Sequence, residues 1–482
     1  MSELRLVEHN LHQVRVAGRR MMFHIPTSSL FELDAVSGDL LDLFDAESSG
    51  ARPAVTPELV RESFDGRHAP EAVVEAIRDF IELEVLSDGR ARAPERAPIR
   101  IENFPLSTIV LNTNTGCNLS CTYCYKEDLE TPANGTKMEF ETARKSIELL
   151  LAEGAQRERF NIVFFGGEPL SNMALIRAVV DYAEARASEL GKKVDFTLTT
   201  NGTLLTEQVV DYFNAHRFGL TISMDGPRAV HDLRRRTVGG KGSYDVVAAK
   251  ARMALERYDS RPIGARVTLT AGVVDVVAIW DHLVNDIGFH EVGFAPVTSG
   301  EHAIFALNGD ELAELFANMK TLGGIYLEAA FAHRNIGFSN MHQLMTDLSE
   351  GMSKALPCGA GLGLLAVDTG GGLNLCHRFT GSGLDTFGDV DHGIDKPALG
   401  RFLESRLDRS ETACNTCRIR NLCSGGCYHE SYARYNDPIH PTYHYCDLMR
   451  DWVDFGIGVY TRIMERNPAF FATYVEPRRA YK

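Results

Sequence analysis

Three cysteines stand in the run Cys117-Asn-Leu-Ser-Cys121-Thr-Tyr-Cys124, so one short loop delivers three thiols to a single place. Soft thiolates select iron–sulfur clusters and zinc. A structural zinc ion closes with four ligands, and no further Cys or His follows within reach in sequence. The C-x3-C-x2-C spacing therefore favours an iron–sulfur cube with one iron open to another ligand; a zinc loop is the plainer alternative. Seven more cysteines follow: Cys358, then Gly371-x4-Cys376, then Cys414-x2-Cys417-x5-Cys423-x3-Cys427, and finally Cys446. A zinc ribbon on Cys414, Cys417, Cys423 and Cys427 would leave Cys358, Cys376 and Cys446 without a use.

From Ser107 onward, apolar strand candidates recur at Thr108–Asn112, Asn161–Phe165, Val194–Thr199, Gly219–Met224, Ala265–Thr270 and Glu291–Pro296. Helical stretches such as Glu139–Ala152, Met173–Leu190 and Tyr244–Arg257 lie between them. Six such units predict an α/β domain with a parallel sheet and right-handed crossovers. Barrels of this kind place their chemistry at the C-terminal ends of the strands. The Cys117–Cys124 loop directly follows the first strand. Polar groups mark the next three strand ends: Phe165-Gly166-Gly167-Glu168-Pro169, Thr199-Thr200-Asn201-Gly202, and Ser223-Met224-Asp225-Gly226-Pro227. Glycines let backbone approach closely there.

The cysteine run, with Tyr123 before its third thiol, resembles the signature of radical S-adenosylmethionine (SAM) enzymes. That resemblance implies a partial (β/α)6 barrel. It also implies that the amino and carboxylate groups of SAM chelate the open iron, and that one-electron reduction cleaves SAM to a 5′-deoxyadenosyl radical. Carried over residue by residue, it makes Cys117, Cys121 and Cys124 the ligands of the catalytic cluster. Tyr123, Gly166, Gly167, Glu168, Asn201, Ser223 and Arg235 would contact the cofactor, with Asp225 a further catalytic candidate. Glu168 would take the methionine amino group by a charge-assisted hydrogen bond. Arg235, twelve residues after Ser223, suits the carboxylate because a guanidinium binds one bidentately; the plainer reading of Arg234-Arg235-Arg236 is a solvated face.

The seven later cysteines resemble the SPASM extension of radical SAM maturases, which implies two auxiliary 4Fe-4S clusters and three clusters in all. By family correspondence the outer cluster takes Cys414, Cys417, Cys423 and Cys446, and the inner one Cys358, Cys376 and Cys427. The inner cluster is then one thiolate short. A substrate thiolate is one way to complete it; Asp368, His377 or water is the other. Sulfatase maturases carry an additional cysteine shortly after the equivalent of Cys358 and an aspartate after that of Cys376. Here Gly359-Ala-Gly-Leu-Gly363 and His377 stand instead, which weighs against formylglycine formation.

A chain of 482 residues suggests about three domains. We expect a recognition domain at 1–95, the barrel at 96–335 and the SPASM domain with a C-terminal helix at 336–482. The Pro/Arg/Ala stretch Ala91–Pro98 reads as the first linker. In the first domain, strands at His9–Val16 and Met21–Ile25 surround a turn, and helices follow near Ser37–Phe44, Pro57–Phe64 and Pro70–Leu83. This resembles the winged-helix-like module with which peptide maturases capture a leader as an added strand; a DNA-binding winged helix or a structural cap is the alternative. The formal net charge of −15 argues against a nucleic-acid partner. The segment Met1–Glu8 shows no basic n-region followed by an apolar h-region, and no apolar run approaches a membrane span, so a cytoplasmic location with thiolates committed to metal is expected.

Among such maturases the chain is most similar to those of quinohemoprotein amine dehydrogenase. The resemblance runs from Ser29–Asp34 through Cys117–Lys126 to Cys376–Phe379. It implies a peptide or small-protein partner, the precursor of the dehydrogenase γ subunit, with thioethers formed between Cys sulfur and Asp or Glu methylene carbons. It also implies an external one-electron donor. A ranthipeptide maturase, a sulfatase maturase and a non-enzymatic iron–sulfur scaffold remain alternatives.

Overall fold

The computed structural model describes residues 3–44, 55–88, 100–300 and 302–476. The stretch expected to act as a linker, Ala91–Pro98, lies outside the described residues.

The N-terminal region is an antiparallel sheet of Leu11–Val16, Arg19–His24 and Ser29–Glu32. Ala17 and Gly18 both take positive φ, 50° and 83°, which matches the right-handed twist of a tight hairpin. The first strand starts later than expected because Glu8–Asn10 forms a 3-10 turn. The third strand was not expected; four residues are too few to show a period. Helices follow at Ala35–Asp42, Pro57–Phe64 and Pro70–Glu82. The first begins two residues earlier than the reading because Asp34 caps the Ser37 N–H. The middle strand alternates its faces between two cores. Met22 joins a small cluster with Leu40, Leu41, Phe64 and Phe80, whereas Phe23 reaches the main core.

Six parallel strands, each followed by helix, then form the central sheet: β1 (Thr108–Asn112), β2 (Arg159–Phe165), β3 (Lys193–Thr200), β4 (Gly219–Ser223), β5 (Gly264–Leu269) and β6 (Glu291–Pro296). They pair in sequence order, giving the expected partial barrel. Phe160, Ile162 and Phe164 of β2 are buried while Asn161, Val163 and Phe165 are half-buried. One face therefore packs on helices and the other lines the interior. Phe164, Phe196 and Phe218 stack in that packed layer.

The sheet does not stop at six strands. Leu364–Val367, here β7, pairs parallel to β1, with Leu364 opposite Thr108 and Val367 opposite Leu111. Leu373–Asn374, here β8, closes that edge antiparallel. The Cys-rich region is thus tied to the strand that carries the cluster loop. Long helices at Gly309–Phe331 and Cys446–Arg466 pack against each other. Among the described residues no helix is long and apolar enough to cross a membrane.

Candidate active site

The Cys117–Cys124 loop is pinned from two sides by backbone hydrogen bonds. Cys117 N donates to Glu130 O (3.0 Å), Ser120 N to Arg236 O (2.7 Å) and Thr122 N to Arg234 O (3.1 Å). All ten cysteines are free thiols. Burial pushes Cys117 up to about 12 and Cys121 up to about 11, and raises Cys124 as well, although solvent reaches its side chain. Thiols so placed stay protonated at neutral pH unless a metal supplies the compensating charge. That chemistry fits an iron–sulfur group held by Cys117, Cys121 and Cys124. Among the described residues no three His, Cys, Asp or Glu side chains are drawn tightly enough around one point to hold a single metal ion.

Gly166 and Gly167 stand where the β2 loop meets the cysteine loop. Gly166 has φ +136°, and a Cβ on Gly167 would lie 2.2 Å from Gly116 O. Their lack of side chains lets Gly167 N donate to Asn114 O (2.8 Å) and Glu168 N to Gly116 O (2.9 Å). Glu168 is buried at 1% exposure. Its carboxylate accepts from Thr200 Oγ1 (2.6 Å), Leu170 N (3.1 Å) and Asn201 N (2.8 Å). Burial raises its pKa and these donors hold it back. Glu168 therefore ties the ends of β2 and β3 together, with one of a carboxylate's four acceptor positions left over. Asn201 extends the tie, its Nδ2 donating to Asn118 Oδ1 (2.9 Å) and lying 3.7 Å from Cys117 Sγ.

Tyr123, Asp225 and Arg235 form one buried unit. Tyr123 donates its hydroxyl proton to Asp225 Oδ2 (2.6 Å) and accepts from Arg235 Nη1 (2.7 Å). Thr268 N donates to Asp225 Oδ1 (3.1 Å). Burial raises the Asp225 pKa, opposed first by the Arg235 charge. Arg235 Nε has no hydrogen-bond partner among the described residues, so a donor remains for an incoming acceptor. Ser223 is half-buried on the interior face of β4. Sequence reasoning missed His231, which accepts from Asp225 N (3.3 Å) at Nδ1 and bonds Ser243 Oγ (3.0 Å) at Nε2. Burial lowers it to about 3, so it is a neutral support; no motif marks it.

The remaining thiols fall into two sets by the charges they would impose on one another. Cys376 responds to Cys427 and Cys358, and Cys358 to Cys427. Cys446 responds to Cys423, Cys414 and Cys417. Cys427, the fourth member of the ribbon alternative, thus lies with Cys358 and Cys376. Arg406 donates to Gly425 O (2.6 Å) and Gly426 O (2.9 Å), pinning the loop between Cys423 and Cys427. Asp368 is occupied within its own turn, accepting from Gly370 N, Gly372 N and Asn374 Nδ2. His377 faces the barrel, its ring 4.3 Å from that of Phe165. Burial and neighbouring cations lower its pKa to about 3.

Between the first thiol set and the Cys358 set lies Tyr125, whose hydroxyl feels both Cys124 and Cys376. Solvent reaches Arg266 nearby, yet its pKa is lowered by burial and then by the charge of Arg378.

Residues 111–273 match the radical SAM superfamily. A serine-type anaerobic sulfatase-maturating enzyme of Klebsiella aerogenes is 25% identical over 355 residues, covering 70% of this chain and 81% of that enzyme. A cysteine-type enzyme of Clostridium perfringens is 31% identical over 159 residues, and a Methanocaldococcus jannaschii protein 32% over 162. The chain spans only 40% and 52% of these two. In structure it is similar to native anSMEcpe with bound AdoMet and a Cp18Cys peptide, with TM-score 0.61 and 18% identity over 77% of this chain and 99% of that one. Streptococcus suis SuiB bound to its precursor peptide SuiA gives TM-score 0.50 and 15% identity over 90% and 98%. A cysteine loop at the end of β1, braced by the ends of the next three strands and lying within the matched segment, is the reason to conclude that this chain carries a radical SAM domain, an enzyme unit for SAM-dependent radical chemistry.

Proposed function

We propose that the chain is a radical SAM maturase that cross-links a peptide or small protein by thioether bonds, joining a cysteine sulfur to an Asp or Glu methylene carbon. The γ subunit of quinohemoprotein amine dehydrogenase is the substrate its sequence resemblance favours. The observation that supports the reading is the position of Tyr125, which follows Cys124 in the chain and packs its ring on His377 (6.2 Å) and His429 (5.5 Å), close in sequence to Cys376 and Cys427. When bound and reduced, the iron–sulfur groups and SAM supply hydrogen-atom abstraction from carbon and an acceptor for the electron released as the C–S bond closes.

The chain's own residues do the rest. Cys117, Cys121 and Cys124 hold the first cluster. Glu168 and Arg235 orient SAM by its amino and carboxylate groups, and Asn201 and Tyr123 keep the loop in register with the strand ends. Cys358, Cys376 and Cys427 hold the inner auxiliary cluster, and Cys414, Cys417, Cys423 and Cys446 the outer one. Asp368 is occupied within its own turn, which favours a substrate thiolate over that carboxylate as the missing inner ligand. Ligation deprotonates a thiol whose ordinary pKa is about 8.5. It also holds the sulfur beside the carbon it will join.

Residues 1 to 95 are the substrate-capture domain in this reading, ahead of a barrel to 335 and a SPASM domain to 482. Among the described residues the edge strand Ser29–Glu32 pairs on one side only, with Arg19–His24, and Phe31 on it is 37% exposed. An extended leader can add there as a further strand. An external electron donor and a cytoplasmic setting belong to the same reading.

Co-expression with a γ-subunit precursor, followed by mass spectrometry, tests it. Each thioether should remove two hydrogens, and fragmentation should stop between the joined residues. Conversion of one cysteine or serine to formylglycine in a sulfatase peptide would favour the second reading, which the likeness to the Klebsiella enzyme supports.

A further inference from the structure

Two arginines line the interior beside Tyr125 with no carboxylate partner among the described residues. Arg266 projects from β5 at the level of Ser223 and Gly293, and among the described residues it makes no ion pair. Arg378 follows the inner-set thiol Cys376. Its guanidinium carbon lies 4.8 Å from the centre of the Tyr125 ring, and its Nη1 donates to Thr298 Oγ1 (2.8 Å). A Cβ on Gly293 would lie 3.6 Å from Arg266 Nη1, so that guanidinium reaches over β6, the strand whose continuation carries Thr298.

Glu430, Asp128 and Asp225 each have other partners. Glu430 is held by Tyr445 (2.9 Å) and His444 (3.3 Å). Asp128 is taken by Lys126 (2.8 Å), and Asp225 by Tyr123. The Tyr125 hydroxyl is itself buried with no hydrogen-bond partner. Solvent reaches Arg266 and Arg378 is half-exposed, so two guanidiniums with no ion pair among the described residues stand open to an incoming acceptor beside the orphaned Tyr125 hydroxyl.

We propose that Arg266 and Arg378 form a receptor for a side-chain carboxylate of the substrate, and so select an acidic residue for modification. Guanidiniums bind a planar carboxylate through paired N–H donors, which fits this ligand better than a neutral amide. The position does the rest. An Asp or Glu gripped beside Tyr125 lies between the radical-generating loop and the inner thiol set, so its methylene carbons face both. The identity of the ligand as a peptide side chain rests on the maturase reading; the anion site itself does not.

The test is calorimetric titration of the iron-loaded protein, with SAM bound, using N-acetyl-L-glutamate methylamide and its glutamine analogue. The glutamate probe should bind at least tenfold more tightly than the glutamine probe. Arg266→Met and Arg378→Met should each remove that preference, and Arg266→Lys should restore part of it, with iron content and visible spectrum confirming that each variant is folded. Equal affinity for the two probes would overturn the proposal, as would full preference in both Met variants. Displacement of SAM by the glutamate probe would also overturn it, assigning the site to the cofactor. So would a shifted cluster spectrum in Arg378→Met with the preference intact, which would assign the arginines to balancing cluster charge. If co-expression yields no cross-link while the titration shows the preference, the maturase reading falls and the carboxylate site stands.

Discussion

The two cysteine-bearing regions are built on opposite plans. The Cys117–Cys124 loop sits on strand ends already joined by buried hydrogen bonds, through Glu168 to Thr200 and Asn201 and through Tyr123 to Asp225 and Arg235. The Cys414–Cys427 region has little regular structure of its own. Its helix Arg420–Cys423 has four residues, and Ser424, Gly425 and Gly426 all take positive φ. Arg406 and contacts from outside hold it: Arg418 reaches Asp454 (2.8 Å), and Asn421 donates to Ile25 O (2.7 Å) in the N-terminal region. A sheet can pre-form a site before any metal arrives, whereas a loop of this kind depends on its metal for most of its order.

The largest expected effect separates the regions by function. Replacing Cys117, Cys121 and Cys124 together with alanine should abolish 5′-deoxyadenosine production while most iron stays bound. Retained production would break the assignment of the radical step to the barrel loop.

Metal removal should separate them by stability. After chelation under reducing conditions, amide hydrogen exchange should rise strongly over 410–446 and little over β1–β4. Uniform acceleration would mean that the strand-end network does not stand without the cluster.

Glu168→Ala tests that network directly. It leaves the Thr200 hydroxyl and the Asn201 and Leu170 amides without their acceptor, which costs about 1–3 kcal/mol per buried group left unpaired. SAM affinity of the cluster-loaded protein should fall more than tenfold, as expected on removing one partner of a desolvated charge pair. Unchanged affinity would restrict Glu168 to bracing.

The smallest effect concerns the outer contacts. Phe31→Glu on the free edge strand should raise the substrate KM with uncoupled SAM cleavage unaltered. Deleting residues 1–95 is the cruder route, because Phe23 and Ile25 belong to the main core and truncation would expose it.

Much of the barrel was legible because its signals are local. The helix Tyr244–Arg257 has the limits its apolar period indicates, and the strand-end motifs lie where the alternation of strands and helices puts them. The C-x3-C-x2-C spacing is likewise a property of eight consecutive residues. The N-terminal strands were harder: Glu8–Asn10 turns rather than extends, and a four-residue strand leaves no pattern.

By itself, then, the order of residues determined the repeated strand–helix units and the radical-SAM loop, because each depends on neighbours within a few turns of chain. Only the tertiary structure decided that β7 would lie beside β1, more than 250 residues away. Only it joined Tyr123 to Asp225 and Arg235, and set Arg378 over the ring of Tyr125. Such pairings follow from the summed packing of whole elements and from the need to satisfy buried polar groups, and neither is written in the spacing of any one segment.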